Sequence, residues 1–181
     1  MSRIDKHLIA MREAISRRDW QGLEQTYQEL CTILAGADAA SRIAALDFSS
    51  YQQRLCAAFV AVADRLRTCE ARAIYFEYDL GNDWESNFFL CRKYSPERER
   101  NDEWACEWVA ECAGPKFEEA CTEYMESDVD WTGESPGTPL YLIARTVAAY
   151  GRCVEACPVA VDAICIAFHD QNPVMRITES G

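Results

Sequence analysis

The chain has 181 residues and a mass of 20.5 kDa, long enough to bury about 70% of its unfolded surface with no metal or disulfide staple. A hydrophobic fraction of 49% with a charged fraction of 27% is that of a folded globular protein and excludes intrinsic disorder. Eighteen Lys and Arg against thirty Asp and Glu leave a net charge of -12, which opposes binding to nucleic-acid phosphates and to anionic membrane surfaces and favours a basic partner.

Ile4, Leu8, Met11 and Ile15 form the stripe of a first amphipathic helix, with Ser2 placed to cap it. Asp19 caps a second helix carrying Leu23, Tyr27, Leu30 and Leu34, and Gly36 stops it. The pair reads as a helical hairpin turned at Arg17 to Asp19. A short helix is expected over Ala37 to Asp47. Another follows, capped by Ser49 or Ser50, with Leu55, Phe59, Val62 and Leu66 on one side.

The pattern changes at Arg72. Ala73 to Asp79 is aromatic and β-branched, Gly81-Asn82-Asp83 signals a turn, and Trp84 to Tyr94 resumes in strand-like form. Two such runs around a short turn predict a β-hairpin. Glu103 to Val109 alternates as a third strand would, and Phe117 to Met125 reads as a helix. After the loop Ser127 to Pro139, Thr138 and Pro139 open a strong helix with Leu140, Ile143, Val147 and Tyr150, ending near Cys157-Pro158. Val159 to Phe168 is a buried type of strand, and Pro173 to Thr178 adds an edge strand or a tail. The expectation is one α+β domain: a helical part at 1–71, and an acidic part at 72–181 whose small, mainly antiparallel sheet is covered by helices.

The N-terminal segment alternates charged and apolar residues and has no continuous apolar core, so no signal peptide is expected. Leu55 to Leu66 is too short and too interrupted to span a bilayer. A cytoplasmic location follows as an expectation, and with it ten free thiols, at positions 31, 56, 69, 91, 106, 112, 121, 153, 157 and 165.

The acidity is local. Residues 1–72 hold ten basic and nine acidic residues, residues 73–139 hold five and seventeen, and residues 140–181 hold three and four. In the middle stretch the acids interleave with tryptophans, as Asp83-Trp84-Glu85, Asp102-Glu103-Trp104, Glu107-Trp108 and Asp130-Trp131. Trp residues anchor protein interfaces and surrounding acids steer a basic partner. Asp79, Asp83, Trp84, Glu85, Asp102, Glu103, Trp104, Glu107, Trp108, Asp128, Asp130 and Trp131 are therefore the expected partner-binding residues. Trp104 and Trp108 are expected on one side of their segment, and Glu103, Glu107 and Glu111 together on another.

Catalytic signatures are weak. There are two histidines, His7 and His169, and no Gly-x-Ser-x-Gly, Walker or Gly-x-Gly-x-x-Gly motif. Cys153 and Cys157 have ligand-like spacing but no second pair to complete a zinc site, and Asp128-Val129-Asp130 matches only the start of a calcium loop. Glu77 and Asp79 share a strand face, as carboxylates of an acidic sheet commonly do. No metal or cofactor is expected.

Ala73-Ile74-Tyr75-Phe76-Glu77-Tyr78-Asp79, Asn82-x-Trp84, Phe88-Phe89-Leu90-Cys91-x-x-Tyr94 and Asp102-x-Trp104-Ala105 together resemble small acidic bacterial proteins encoded beside polymorphic toxins. These are the immunity proteins of contact-dependent inhibition, Rhs and type VI secretion systems. The resemblance covers residues 72–110. It implies a non-catalytic inhibitor that holds one cognate toxin domain, and the charge points to a basic, nuclease-like one. Two alternatives stand beside it: an adaptor or chaperone that binds a protein partner through the N-terminal helices, and a small carboxylate-dependent enzyme.

Overall fold

A computed structural model describes residues 3–99, 101–126, 136–168 and 174–180. Six helices and five strands follow in order: α1 (Arg3–Arg17), α2 (Trp20–Ala35), α3 (Ala37–Ala45), α4 (Phe48–Leu66), β1 (Ala73–Tyr78), β2 (Ser86–Cys91), β3 (Trp108–Ala113), α5 (Glu118–Glu126), α6 (Gly137–Ala156), β4 (Ala163–Phe168) and β5 (Met175–Glu179). The fold is α+β.

Local chemistry sets most boundaries. The Asp19 carboxylate accepts a hydrogen bond from Gly22 N at 2.9 Å and so caps α2. Arg18, at φ 56°, makes the tight turn before it. Gly36, at φ 94°, takes the left-handed backbone that ends α2. α4 is capped by Asp47, which accepts from Ser50 N at 3.0 Å, and not by Ser49 or Ser50. The expected cap at Ser2 lies outside the described residues.

Helix α6 is the centre of the molecule. Sixteen of its twenty residues are buried, so it is wrapped on all sides rather than amphipathic. Helices α2 and α4 pack along it, with α1 and α3 flanking. Gly151 lets α2 approach: a Cβ there would lie 2.5 Å from the ring of Trp20. A disulfide joins Cys56 of α4 to Cys153 of α6, with Cα atoms 4.9 Å apart. This corrects the expectation of ten thiols; eight cysteines are free.

The sheet runs β3-β2-β1-β4-β5. Every neighbouring pair is antiparallel except β1 and β4, which are parallel. Strand alternation splits it into two faces. Ile74, Phe76, Tyr78, Phe88, Leu90, Ile164, Ile166 and Phe168 join the helices in the main core. Ala73, Tyr75, Cys91, Ala163, Cys165 and Ala167 point the other way, into a second, smaller core. Part of that second face is roofed by residues 94–99 and 101–106, which carry Tyr94, Trp104 and Ala105 over it. The roof is fastened by Arg176 Nη2 to Asp102 Oδ1 at 2.6 Å, by Tyr94 OH donating to Glu179 Oε1 at 2.5 Å, and by an Arg12–Glu97 ion pair.

The third strand differs from expectation. Glu103–Cys106 is a 3₁₀ turn and the strand begins at Trp108. The alternation of residues 103–109 comes from a turn that sends Trp104 and Ala105 into the small core while Glu103, Cys106 and Glu107 stay exposed. No described helix is long and apolar enough to cross a membrane.

Candidate binding surface

The expected site residues fall into three settings. At the tip of the β1–β2 hairpin, Asp79 accepts from Gly81 N at 3.0 Å. Glu85 accepts from Asn82 Nδ2 at 2.9 Å and lies 3.6 Å from Lys116 Nζ. Asp83 is exposed. The turn places positive φ at Asp83 (50°) and Trp84 (54°), with Glu85 N donating to the Asn82 carbonyl at 2.7 Å, and uses no glycine for it. Positive φ is costly for a bulky residue. The cost is offset by burial of the whole indole. Trp84 is 0% exposed, donates from Nε1 to Thr146 Oγ1 at 3.2 Å and packs beside Tyr78 and Tyr124. Trp84 is therefore a core side chain and offers no surface to a partner, a correction of its expected role as an anchor.

Trp104 is corrected in the same way. It is 3% exposed, 5.0 Å from the Tyr94 ring and 6.4 Å from that of Tyr75. Asp102 is committed to Arg176, a partly buried pair that holds the roof. Burial works against the Arg176 charge, and the hydrogen bonds to Asp102 and Tyr94 outweigh it, raising the pKa above that of an ordinary guanidinium. Asp102 and Glu85 thus hold structure as much as they carry charge.

The third setting is open. Trp108 is 48% exposed and its ring lies 4.8 Å from that of Phe89. Its direction is set by a bulge. The β2–β3 register shifts between Leu90 and Cys91, so Ala110 faces Leu90 and Trp108 faces Cys91. The extra residue turns Trp108 onto the face that also carries Phe89 and, opposite Phe89, Glu111. The expected separation of Glu111 from the tryptophan side does not occur. Further along the same face lie the cross-strand pair Glu77 and Asn87. Tyr75 donates to Glu77 at 2.8 Å; burial first, then the Glu77 charge, raises the Tyr75 pKa far above the ordinary tyrosine value. Glu107 pairs with Lys93 at 2.7 Å, while Glu103 and Glu111 are exposed and have no ion pair among the described residues.

The structure does not gather the expected residues into one patch. Trp108 stands opposite the end of β2 at Cys91, and the hairpin tip lies beyond the other end at Ser86. Six strand residues separate them, or about 17 Å. Asp128, Asp130 and Trp131 lie outside the described residues. Sequence reasoning missed Phe89 and Asn87 as surface residues. Their signal was the period of two in β2, where Asn87 and Phe89 are half-buried between buried Ser86, Phe88 and Leu90.

The edge beside this face is partly blocked. Arg65 of α4 donates to the Glu111 carbonyl at 3.3 Å and approaches Cys112 Sγ at 3.5 Å. This occupies a backbone acceptor that an added strand would need. The cysteines behind the face are not nucleophiles at neutral pH. Burial, then the neighbouring Cys106, pushes the Cys91 thiol up to about 12, and burial raises that of Cys165 further. Asp79 lies just past the end of β1 and lines one pocket with Glu77, Asn82, Glu85 and Asn87, so the two carboxylates do share a side of the hairpin. Among the described residues, no three His, Cys, Asp or Glu side chains are grouped to hold a metal ion. What remains is a half-exposed aromatic ledge with carboxylates beside it, an arrangement suited to contact with a protein. Comparison with protein-family models, with curated proteins and with solved structures gives no match.

Proposed function

We propose that the chain is a non-catalytic, immunity-type protein that binds and neutralises a cognate basic, nuclease-like toxin domain. The observation that carries this reading is the Phe89–Trp108 ledge. A bulge at the sheet edge aims a tryptophan outward in the one stretch of the chain that holds the surplus of acid. A half-exposed aromatic ring supplies the desolvated anchor of an interface, and carboxylates accelerate and orient the approach of a cationic partner.

The test is kinetic binding to the product of a toxin gene adjoining this one, together with growth rescue by co-expression. Association should be fast at low salt and slow steeply as salt rises. Reversing the exposed, unpaired acids Asp83, Glu103 and Glu111 to Lys should lower the on-rate about tenfold or more and leave the circular dichroism unchanged. Unaltered kinetics in that variant, or no complex at all, would defeat the reading.

An adaptor acting through the N-terminal helices has one observation in its favour: Ile33 on α2 is 78% exposed and Ile9 on α1 is 44% exposed. Loss of partner binding on Ile33→Ser with retention on Trp108→Ala would select that reading. The cytoplasm is the proposed site of action. The Cys56–Cys153 bond gives it a check, since alkylation in fresh lysate shows whether the bond survives there.

A further inference from the structure

The open sheet face also specifies what the partner must present. We infer that it receives a segment placing an apolar or aromatic side chain on the Phe89–Trp108 ledge and a Lys or Arg beside it, against Glu111. The inference rests on the binding reading above and adds the chemistry of the partner.

Three observations carry it. First, the other described tryptophans are buried: Trp20, Trp84 and Trp104 are 5%, 0% and 3% exposed, and Trp108 alone among the described ones is half in solvent. An indole lying on Phe89 with its other side open is a surface for a second apolar group or for the face-on approach of a cation. Second, Glu111 stands on the same face, opposite Phe89, with no ion pair among the described residues. Other acids of this stretch have cations already: Glu85 has Lys116, Glu97 has Arg12, Asp102 has Arg176, Glu107 has Lys93 and Glu123 has Arg42. Third, Arg65 occupies the Glu111 carbonyl at the edge. The partner is thereby directed onto the face, to be read through side chains, rather than along the edge as an added strand.

The spacing follows from the strand. Phe89 and Cys91, which oppose Glu111 and Trp108, are two residues apart, or about 7 Å. Residues i and i+2 of an extended segment span that distance, as do i and i+4 of a helix. A second copy of this chain is a poor occupant. Its remaining segments carry net charges of only +1 and -1, and the acidic face would meet its own like.

Short labelled peptides alternating Lys with Leu, Lys with Ser, and Glu with Leu provide the probes, measured by fluorescence anisotropy against the intact chain, Trp108→Ala, Glu111→Lys and the control Ile33→Ser. The Lys–Leu peptide should bind at least about tenfold more tightly than Lys–Ser, and Glu–Leu should bind least. Trp108→Ala should remove the preference for Leu, Glu111→Lys should weaken both Lys peptides about threefold or more, and Ile33→Ser should change nothing. Equal binding of Lys–Leu and Lys–Ser, or a preference that survives Trp108→Ala, would overturn the inference. So would sedimentation showing a dimer that Trp108→Ala dissociates. Toxin binding indifferent to Trp108 and Glu111 would sink the inference and leave the immunity reading standing. Trp108-dependent peptide selectivity in a chain that binds no toxin would do the reverse.

Discussion

The two faces of the sheet are made from alternate residues of the same strands and are finished in opposite ways. On the helix side, Phe76, Tyr78 and Phe88 meet Tyr150 and Phe59 in a continuous aromatic core, and even the strained Trp84 turn is pulled wholly inside. On the other side, a short roof held by charged pairs covers Tyr75 and Cys165, and beyond it Phe89 and Trp108 are left partly in water. The first face is where stability comes from and the second is where contact with another molecule is available. One residue type shows the difference. Trp84 has its N–H satisfied and no exposed surface, whereas Trp108 keeps half its surface open above one aromatic neighbour.

The largest expected effect separates those two tryptophans. Trp84→Ala leaves a large cavity in the main core, and should cost about 3–5 kcal/mol, enough to unfold a marginal chain. Trp108→Ala should cost less than about 1 kcal/mol. Urea denaturation of both variants checks this, and similar losses would erase the division between the faces.

The second effect belongs to the helix side alone. Cys56 and Cys153 are 97 residues apart in sequence, so replacing both with Ser should cost about 3–5 kcal/mol by the loop-entropy model. It should lower the melting temperature by about 10 °C. The same melt with added reductant should reproduce the loss if the bond is formed in the purified protein.

Third is an alkaline limit shared by both faces. Burial raises the pKa of Tyr51, Tyr78 and Tyr150 on the helix side, and burial with the Glu77 carboxylate raises that of Tyr75 on the other. These hydroxyls stay neutral when folded but ionise near 10 when unfolded. Their contribution is complete below that pH and declines as pH rises above it, by up to about 1.4 kcal/mol per pH unit for each tyrosine. Denaturation midpoints should be insensitive to tyrosine ionisation up to about pH 9.5 and fall steeply above about 10, with tyrosinate absorbance appearing together with unfolding. Smooth titration of these tyrosines in the folded chain would contradict their burial.

The smallest effect is Glu111→Lys. Its carboxylate is exposed and unpaired among the described residues, so stability should change by less than about 0.5 kcal/mol while binding weakens.

Helix stripes and caps were legible because they are local. The Ile15, Leu23, Tyr27 and Val62 positions are all buried, and Asp19 opens and Gly36 closes α2 as read, whereas the cap of α4 is Asp47, two or three residues before the serines expected. The strands were legible from aromatic and β-branched runs. What was hidden depends on tertiary pairing. The parallel β1–β4 contact joins segments about ninety residues apart, and the Cys56–Cys153 bond needs α4 laid on α6. The site was misread for a related reason. Alternation of acids with tryptophans looks the same whether the ring points in or out, and only the turn at Glu103–Cys106 and the bulge beside Trp108 decide it. Trp84 is drawn inward by a turn whose positive-φ positions, Asp83 and Trp84, are not glycines. Composition located the acidic stretch, while the direction of each ring required the strand register.

The most direct test of the central claim is the dissociation rate of Trp108→Ala from the proposed cognate toxin domain, measured against the unaltered protein. If the open sheet face is the binding surface, truncating its anchor should cost about 2 kcal/mol, an off-rate increase of about thirtyfold, with the circular dichroism and urea midpoint unchanged. An off-rate within about twofold of the unaltered protein, with the complex lost instead on Ile33→Ser, would place the interface on the helices and contradict the account.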